Sequence, residues 1–247
     1  MKPCIDIETF NWNNLQADIY FGLHANAMWL YLESVVTPAL DAIDARHDEL
    51  SRSDEPIIAF QLGDVKTLRK STIEAFALTV QSQWERQLRE FLKNCARELK
   101  HSADYVEKLE CASWAKLLKQ FKEIRGLPLE AFDSFPDLEL LQLLGNACRH
   151  GDGKSAKMLY ERWPEFWPNW PPATPASWSG PLLVNVPNHP SFSGVSLHRS
   201  VLVRLIYAVI WFWEDHSYIY TNSIKPKTSR IEGELAKMRE KRARRRQ

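Results

Sequence analysis

The residues best equipped for chemistry cluster in Asn146-Ala147-Cys148-Arg149-His150-Gly151-Asp152-Gly153-Lys154-Ser155. An imidazole titrates near neutrality and moves protons as acid or base. A guanidinium grips phosphate through a rigid fork of donors, and an amide offers both a donor and an acceptor. On a helix Asn146 and His150, four residues apart, share a face, whereas Arg149 lies about 100° round from His150. The same residues also have a plain structural explanation. A His in the last helical turn complements the helix dipole, and Gly151 suits a left-handed C-terminal cap. Asp152 or Ser155 would then cap a following helix over 155–162.

Gly153-Lys154-Ser155 ends like a phosphate-binding P-loop, but that motif requires a Gly at position 148, which is Cys. It also follows a buried strand, whereas Leu138, Leu141, Leu144 and Cys148 recur at helical spacing. Both features argue against a nucleoside triphosphatase. Cys4, Cys95, Cys111 and Cys148 have no paired spacing, which argues against a zinc site or a disulfide framework. His216 follows Glu214 and Asp215, but neighbouring helical positions diverge, so no metal site is expected there. His24 reads as a core histidine, and His189 and His198 as loop histidines. No cofactor signature is present, so no cofactor is expected.

The chain has 247 residues and a formal net charge of +1, which conceals an asymmetry. Residues 225–247 hold ten Lys or Arg against three Glu, so this segment carries +7 and the rest −6. The densest cluster is Lys241, Arg242, Arg244, Arg245 and Arg246. A basic tail on an acidic body points to nucleic acid or an acidic protein partner. Lys154 is a further candidate phosphate contact. If the tail is a separate arm, removing it should scarcely affect stability. No run of 18 uncharged apolar residues and no signal-peptide pattern occur, so a cytoplasmic protein with no membrane association is expected.

Several helices must position these groups. Apolar spacing predicts a helix from about Asn13 to Arg46, kinked or broken at Pro38, and a polar turn over 47–56. A long helix is predicted over 68–100, with Gln81, Glu85, Arg86, Arg89 and Glu90 on its polar flanks. A shorter helix follows at 114–124, and the helix bearing Asn146 and His150 starts near Pro136 or Asp137. Residues 163–190 hold eight of the fourteen Pro and four of the ten Trp. That density forbids regular helix but demands order. An ordered loop is predicted, with a short strand pair at 181–186 and 195–197. Its tryptophans are expected to pack on the helices rather than stack on bases. The segment 200–220 is apolar nearly all round, although Arg204, Glu214 and Asp215 interrupt it, which predicts a buried core helix. The fold class is all-α: one helical-bundle domain over 1–224 with an ordered Pro/Trp-rich loop insertion and a basic C-terminal arm over 225–247.

This order of parts, with Asn146-x-x-x-His150-Gly151 closing a helix, resembles the HEPN superfamily over about residues 60–220. The resemblance implies an α-helical bundle, frequently dimeric, whose active members cut RNA without a metal. The family signature is an Arg, a polar residue, and a His a few positions on. Asn146 and His150 match the last two, and the Arg position falls on Gly145. The phosphate-holding cation would then be Arg149, through local unwinding or from a second subunit, or else Arg86 or Arg89. The resemblance implies a metal-independent endoribonuclease or RNA-binding effector of a bacterial toxin or phage-defence system, with His150, Arg149 and Asn146 as its site and a homodimer as its state. The missing Arg favours the alternative, a noncatalytic module recruiting a partner protein or nucleic acid through its basic tail. An enzyme that modifies nucleotides or proteins lacks any supporting fingerprint.

Overall fold

The computed structural model describes residues 5–15, 21–53, 55–170 and 188–245. Every regular element among them is helical: α1 (Phe21–Tyr31), α2 (Thr37–Leu50), α3 (Ile58–Glu98), α4 (Ala103–Glu110), α5 (Trp114–Arg125), α6 (Phe135–His150), α7 (Lys154–Arg162), α8 (Arg199–Ser223) and α9 (Ser229–Arg245). The all-α expectation therefore holds. No helix is long and apolar enough to cross a membrane.

Pro38 does not break the first helix. Lacking an N–H, proline is tolerated only in the first turn of a helix. The chain meets this by widening into a π-helical segment, Leu32–Val36, with the Thr37 N–H bonded to the carbonyl of Leu32. Pro38 then falls in the opening turn of α2. The long helix α3 begins ten residues before its predicted start. The helix α4 was not expected; Ser102 caps it by accepting from the Tyr105 N–H at 3.3 Å. Residues 181–186 lie outside the described residues. The other half of the predicted strand pair, 195–197, is irregular chain after a 3-10 turn at Phe192–Gly194.

The chain packs as two compact units. Unit 1 comprises residues 1–30, 83–136 and 207–247. Its core gathers Trp84, Phe121, Phe132, Phe212 and Trp213 around His216. His216 stacks on Phe132 at 4.9 Å and 7°, and its Nδ1–H donates to the Phe212 carbonyl at 2.9 Å. Burial pushes the imidazole pKa down to about 3, so the ring is neutral and behaves as a core aromatic. His24, set 4.8 Å from Trp213, is also shifted down by burial.

Unit 2 comprises residues 31–82 and 137–206. Here α3 and α6 pack antiparallel, because Gln81 meets Gln142 and Gly145 while Glu74 acts on Cys148. Leu138, Leu141 and Leu144 of α6 and Ile73, Ala77 and Val80 of α3 are all buried. The described part of the Pro/Trp-rich region is tied down as expected. Trp167 is buried, and its indole N–H donates to the Ser191 carbonyl at 2.9 Å. The Ser196 N–H bonds the Phe166 carbonyl at 2.7 Å. Of the other three tryptophans, Trp163 and Trp170 are half-buried and Trp178 lies outside the described residues.

Candidate functional site

The C-terminal turn of α6 carries the three groups singled out above. Arg149 and His150 are exposed, and Asn146 is half-buried. Gly151 ends the helix with φ +66°, its N–H bonded to the Ala147 carbonyl at 2.8 Å. A residue with a Cβ is strained in that conformation, which explains glycine there. Arg149 turns towards α3, where its guanidinium donates to Ser82 Oγ at 3.2 Å and Gln81 Oε1 at 3.3 Å. His150 makes no hydrogen bond or ion pair with any described residue. The geometry thus leaves the imidazole open while holding the guanidinium against its own unit. Just before them in sequence, burial and the nearby Glu74 carboxylate push the Cys148 thiol up to about 12, so it supplies no thiolate.

Gly145 has a structural task. A Cβ at that position would lie 2.5 Å from Gln81 Cγ and 2.7 Å from Gln81 Cβ. Gln81 is fully buried rather than on a polar flank, and its amide donates to Gln142 Oε1 at 2.9 Å. The buried amide pair draws α3 and α6 so close that only glycine fits. An arginine at position 145 is therefore sterically incompatible with this helix pair. Arg89 is no free substitute: it bonds Glu85 and the carbonyls of Leu109, Glu110 and Ala112, tying off the end of α4. Arg86 is exposed on α3.

Neither Asp152 nor Ser155 caps α7, whose N-cap is Gly153 with no side-chain bond. Asp152 is engaged elsewhere. It accepts from the Phe192 N–H at 2.5 Å and from Ser191 Oγ at 2.9 Å, and these bonds hold its carboxyl below the usual aspartate range. The loop anchored there continues to Ser193, whose carbonyl accepts from Lys70 Nζ on α3. Beyond it, residues 195–198 form one wall of a cleft of about 380 Å³ whose other wall is Lys66, Arg69, Lys70 and Ile73 of α3. Those α3 positions follow i, i+3, i+4, i+7 spacing and share one face. His198 opens onto the cleft, bonded to Ser200. Arg69 pairs with Asp44 at 2.9 Å, whereas Lys66 has no described partner. Lys154 and Lys157 on α7 are exposed and equally unpaired. Lys70 bonds the same loop that Asp152 of the α6–α7 turn anchors. Only Lys154 and the α6 groups of this cationic edge were legible beforehand.

The C-terminal segment differs from the expected free arm. It folds as α9 within unit 1, with Leu235 fully buried. Arg242, 4% exposed, pairs through Nε with Asp215 at 3.1 Å. Arg245 pairs with Asp215 at 3.1 Å and also with Glu214, and Lys241 reaches Glu214 at 2.5 Å. Arg244 pairs with Glu240 on the exposed face, and Arg246 lies outside the described residues. Two carboxylates on α8 therefore neutralise much of the cluster, and a buried Arg242 cannot reach a phosphate. Removing the segment would expose apolar surface and leave Asp215 unpaired, so it is not dispensable for stability.

Among the described residues no group of three His, Cys, Asp or Glu side chains converges as metal ligands would. Compared with protein-family models, curated proteins and solved structures, the chain matches none.

Proposed function

We propose that this protein binds RNA along the cationic edge of unit 2, using Lys66, Arg69 and Lys70 together with Lys154 and the exposed end of α6. The observation that carries this reading is the cleft lined by Lys66, Arg69, Lys70 and His198, in the same unit as unpaired Lys154. Lys66 and Lys154 have no described partner, whereas Arg69 and Lys70 also face Asp44 and Glu74; the two open cations suit a phosphodiester backbone, and each contact formed releases counterions. Binding to single-stranded RNA should weaken with salt. In the Lys66→Gln/Lys154→Gln variant, the slope of log affinity against log salt should fall by about 0.7 per lost contact. An unchanged slope and affinity would dispose of the reading.

A second reading, RNA cleavage, is favoured by one observation: His150 is exposed and unpartnered at the end of α6. The steric exclusion of Arg at position 145 removes the phosphate-holding group that the HEPN resemblance calls for, so binding without cutting ranks first. A homodimer supplying Arg149 across a two-fold axis would restore that group. Light scattering together with His150→Ala distinguishes the two readings. Cleavage that falls by about 10²–10⁴ in the variant while the dimer persists would promote the second.

A further inference from the structure

Unit 1 holds a second feature that neither reading uses. A cleft of about 430 Å³ opens between α1, α8 and α9, walled by Trp29, Tyr207 and Trp211, with Asn26, Glu214 and Lys241 at its rim. Tyr207 and Trp211 are four apart on α8 and present one face, their centroids 5.7 Å apart and their planes 30° apart. Trp29 stands across from Tyr207 at 5.8 Å and 58°. Unit 1 buries Trp12, Trp84 and Trp213 to 5% exposure or less, yet leaves Trp29 40% exposed. Its ring is therefore not held outward by a shortage of core.

The charges around the cleft decide what it can take. A caged organic cation needs an uncommitted carboxylate, but Glu214 already pairs with Lys241 and Arg245. Arg245 also lies over the Trp211 ring at 5.7 Å, a place such a cation would want. Lys241, 63% exposed at the rim, shares Glu214 with Arg245, so two cations face that one carboxylate and an anion is favoured there over a further cation. Asn26 is exposed with no described partner, and its amide supplies the donor and acceptor pair that reads a base edge. Aromatic rings, an open amide and a rim cation match a planar heterocycle carrying a phosphate.

We infer that this cleft binds a nucleobase, stacked on the Trp29 and Tyr207–Trp211 rings, with its edge at Asn26 and its phosphate towards Lys241. The base comes either from a free nucleotide or from single-stranded RNA. The strand source rests on the RNA-binding reading above, whereas the chemistry of the cleft does not.

The test uses the full chain and calorimetric titration with AMP, adenosine, ribose 5-phosphate and a hexa-adenylate strand. AMP or the hexamer should bind and ribose 5-phosphate should not. Trp29→Ala should weaken that binding by about 5- to 100-fold, the range for one lost base stack, and Trp29→Phe should recover part of it. Lys241→Gln should weaken AMP more than adenosine. AMP binding identifies a free nucleotide as occupant, and Trp29-dependent binding of the hexamer alone identifies a strand. Equal affinities of wild type and Trp29→Ala for every probe, or no binding of AMP and hexamer at all, would overturn the inference. The Lys66→Gln/Lys154→Gln variant should leave AMP binding unaltered, so failure of the RNA reading and failure of the base cleft are separately visible.

Discussion

Two sets of cations meet opposite fates in this molecule. On α9 in unit 1, Lys241, Arg242 and Arg245 face Glu214 and Asp215 and are folded into the structure. In unit 2, Lys66, Lys154 and Lys157 have no described partner and stay in solvent. The denser cluster in the sequence is thus the poorer candidate for binding phosphate. Charge density along a chain measures potential contacts; what remains available depends on whether carboxylates lie opposite once helices pack.

Removing one partner of the α9 pairs should give the largest effect. Asp215→Asn leaves buried Arg242 with only the more distant Asp133 at 3.7 Å, and loss of about 3 kcal/mol of stability in urea titrations is expected. Lys66→Gln should change stability by less than about 0.5 kcal/mol, as for an exposed unpaired side chain. Equal, small effects of the two substitutions would erase the contrast between the two sets.

The pH dependence sharpens the account of unit 1. The His216 pKa is lowered from 6.5 to about 3, so the folded state keeps the ring neutral while the unfolded chain takes up a proton. Its contribution to stability is full above pH 6.5 and is lost as pH falls towards 3, at about 1.4 kcal/mol per pH unit. Stability curves for wild type and His216→Phe isolate this contribution. Parallel curves between pH 6.5 and 4 would mean that His216 is not buried neutral.

Within unit 2, Gly145→Ala should cost about 1–3 kcal/mol by overpacking Gln81, even though Ala is the better helix former. A stabilised variant in thermal melts would show that the helices separate readily and that an Arg at 145 could be housed. The smallest effect is expected for His150→Ala, within about 0.5 kcal/mol of wild type. A larger loss would assign His150 a structural role and weaken any catalytic one.

Much of the helical architecture is legible in the one-dimensional pattern. Apolar recurrence at Leu138, Leu141 and Leu144 locates α6, and the uniformly apolar 200–220 run locates α8. Gly151 marks the end of α6, since a left-handed cap needs only its own backbone. Other features escape a local reading. Gln81 reads as a polar flank because its burial depends on Gln142, 61 residues away. Asp152 reads as a cap because its partner Phe192 arrives from another segment. Trp29, Tyr207 and Trp211 give no sign of a shared cleft, because helical periodicity reports which face a residue is on and not what that face meets.

The sequence by itself determined the helical class, most helix spans, and the placing of Asn146, Arg149 and His150 on the closing turn of one helix. These follow from short-range spacing and backbone preference, which act within a few residues. Tertiary structure alone decided that Gly145 must stay small, that Arg242 is buried, and that Lys70 reaches the Ser193 carbonyl. Each of these depends on which distant side chain comes within a few ångströms, and a pattern repeating every 3.6 residues carries no information on that.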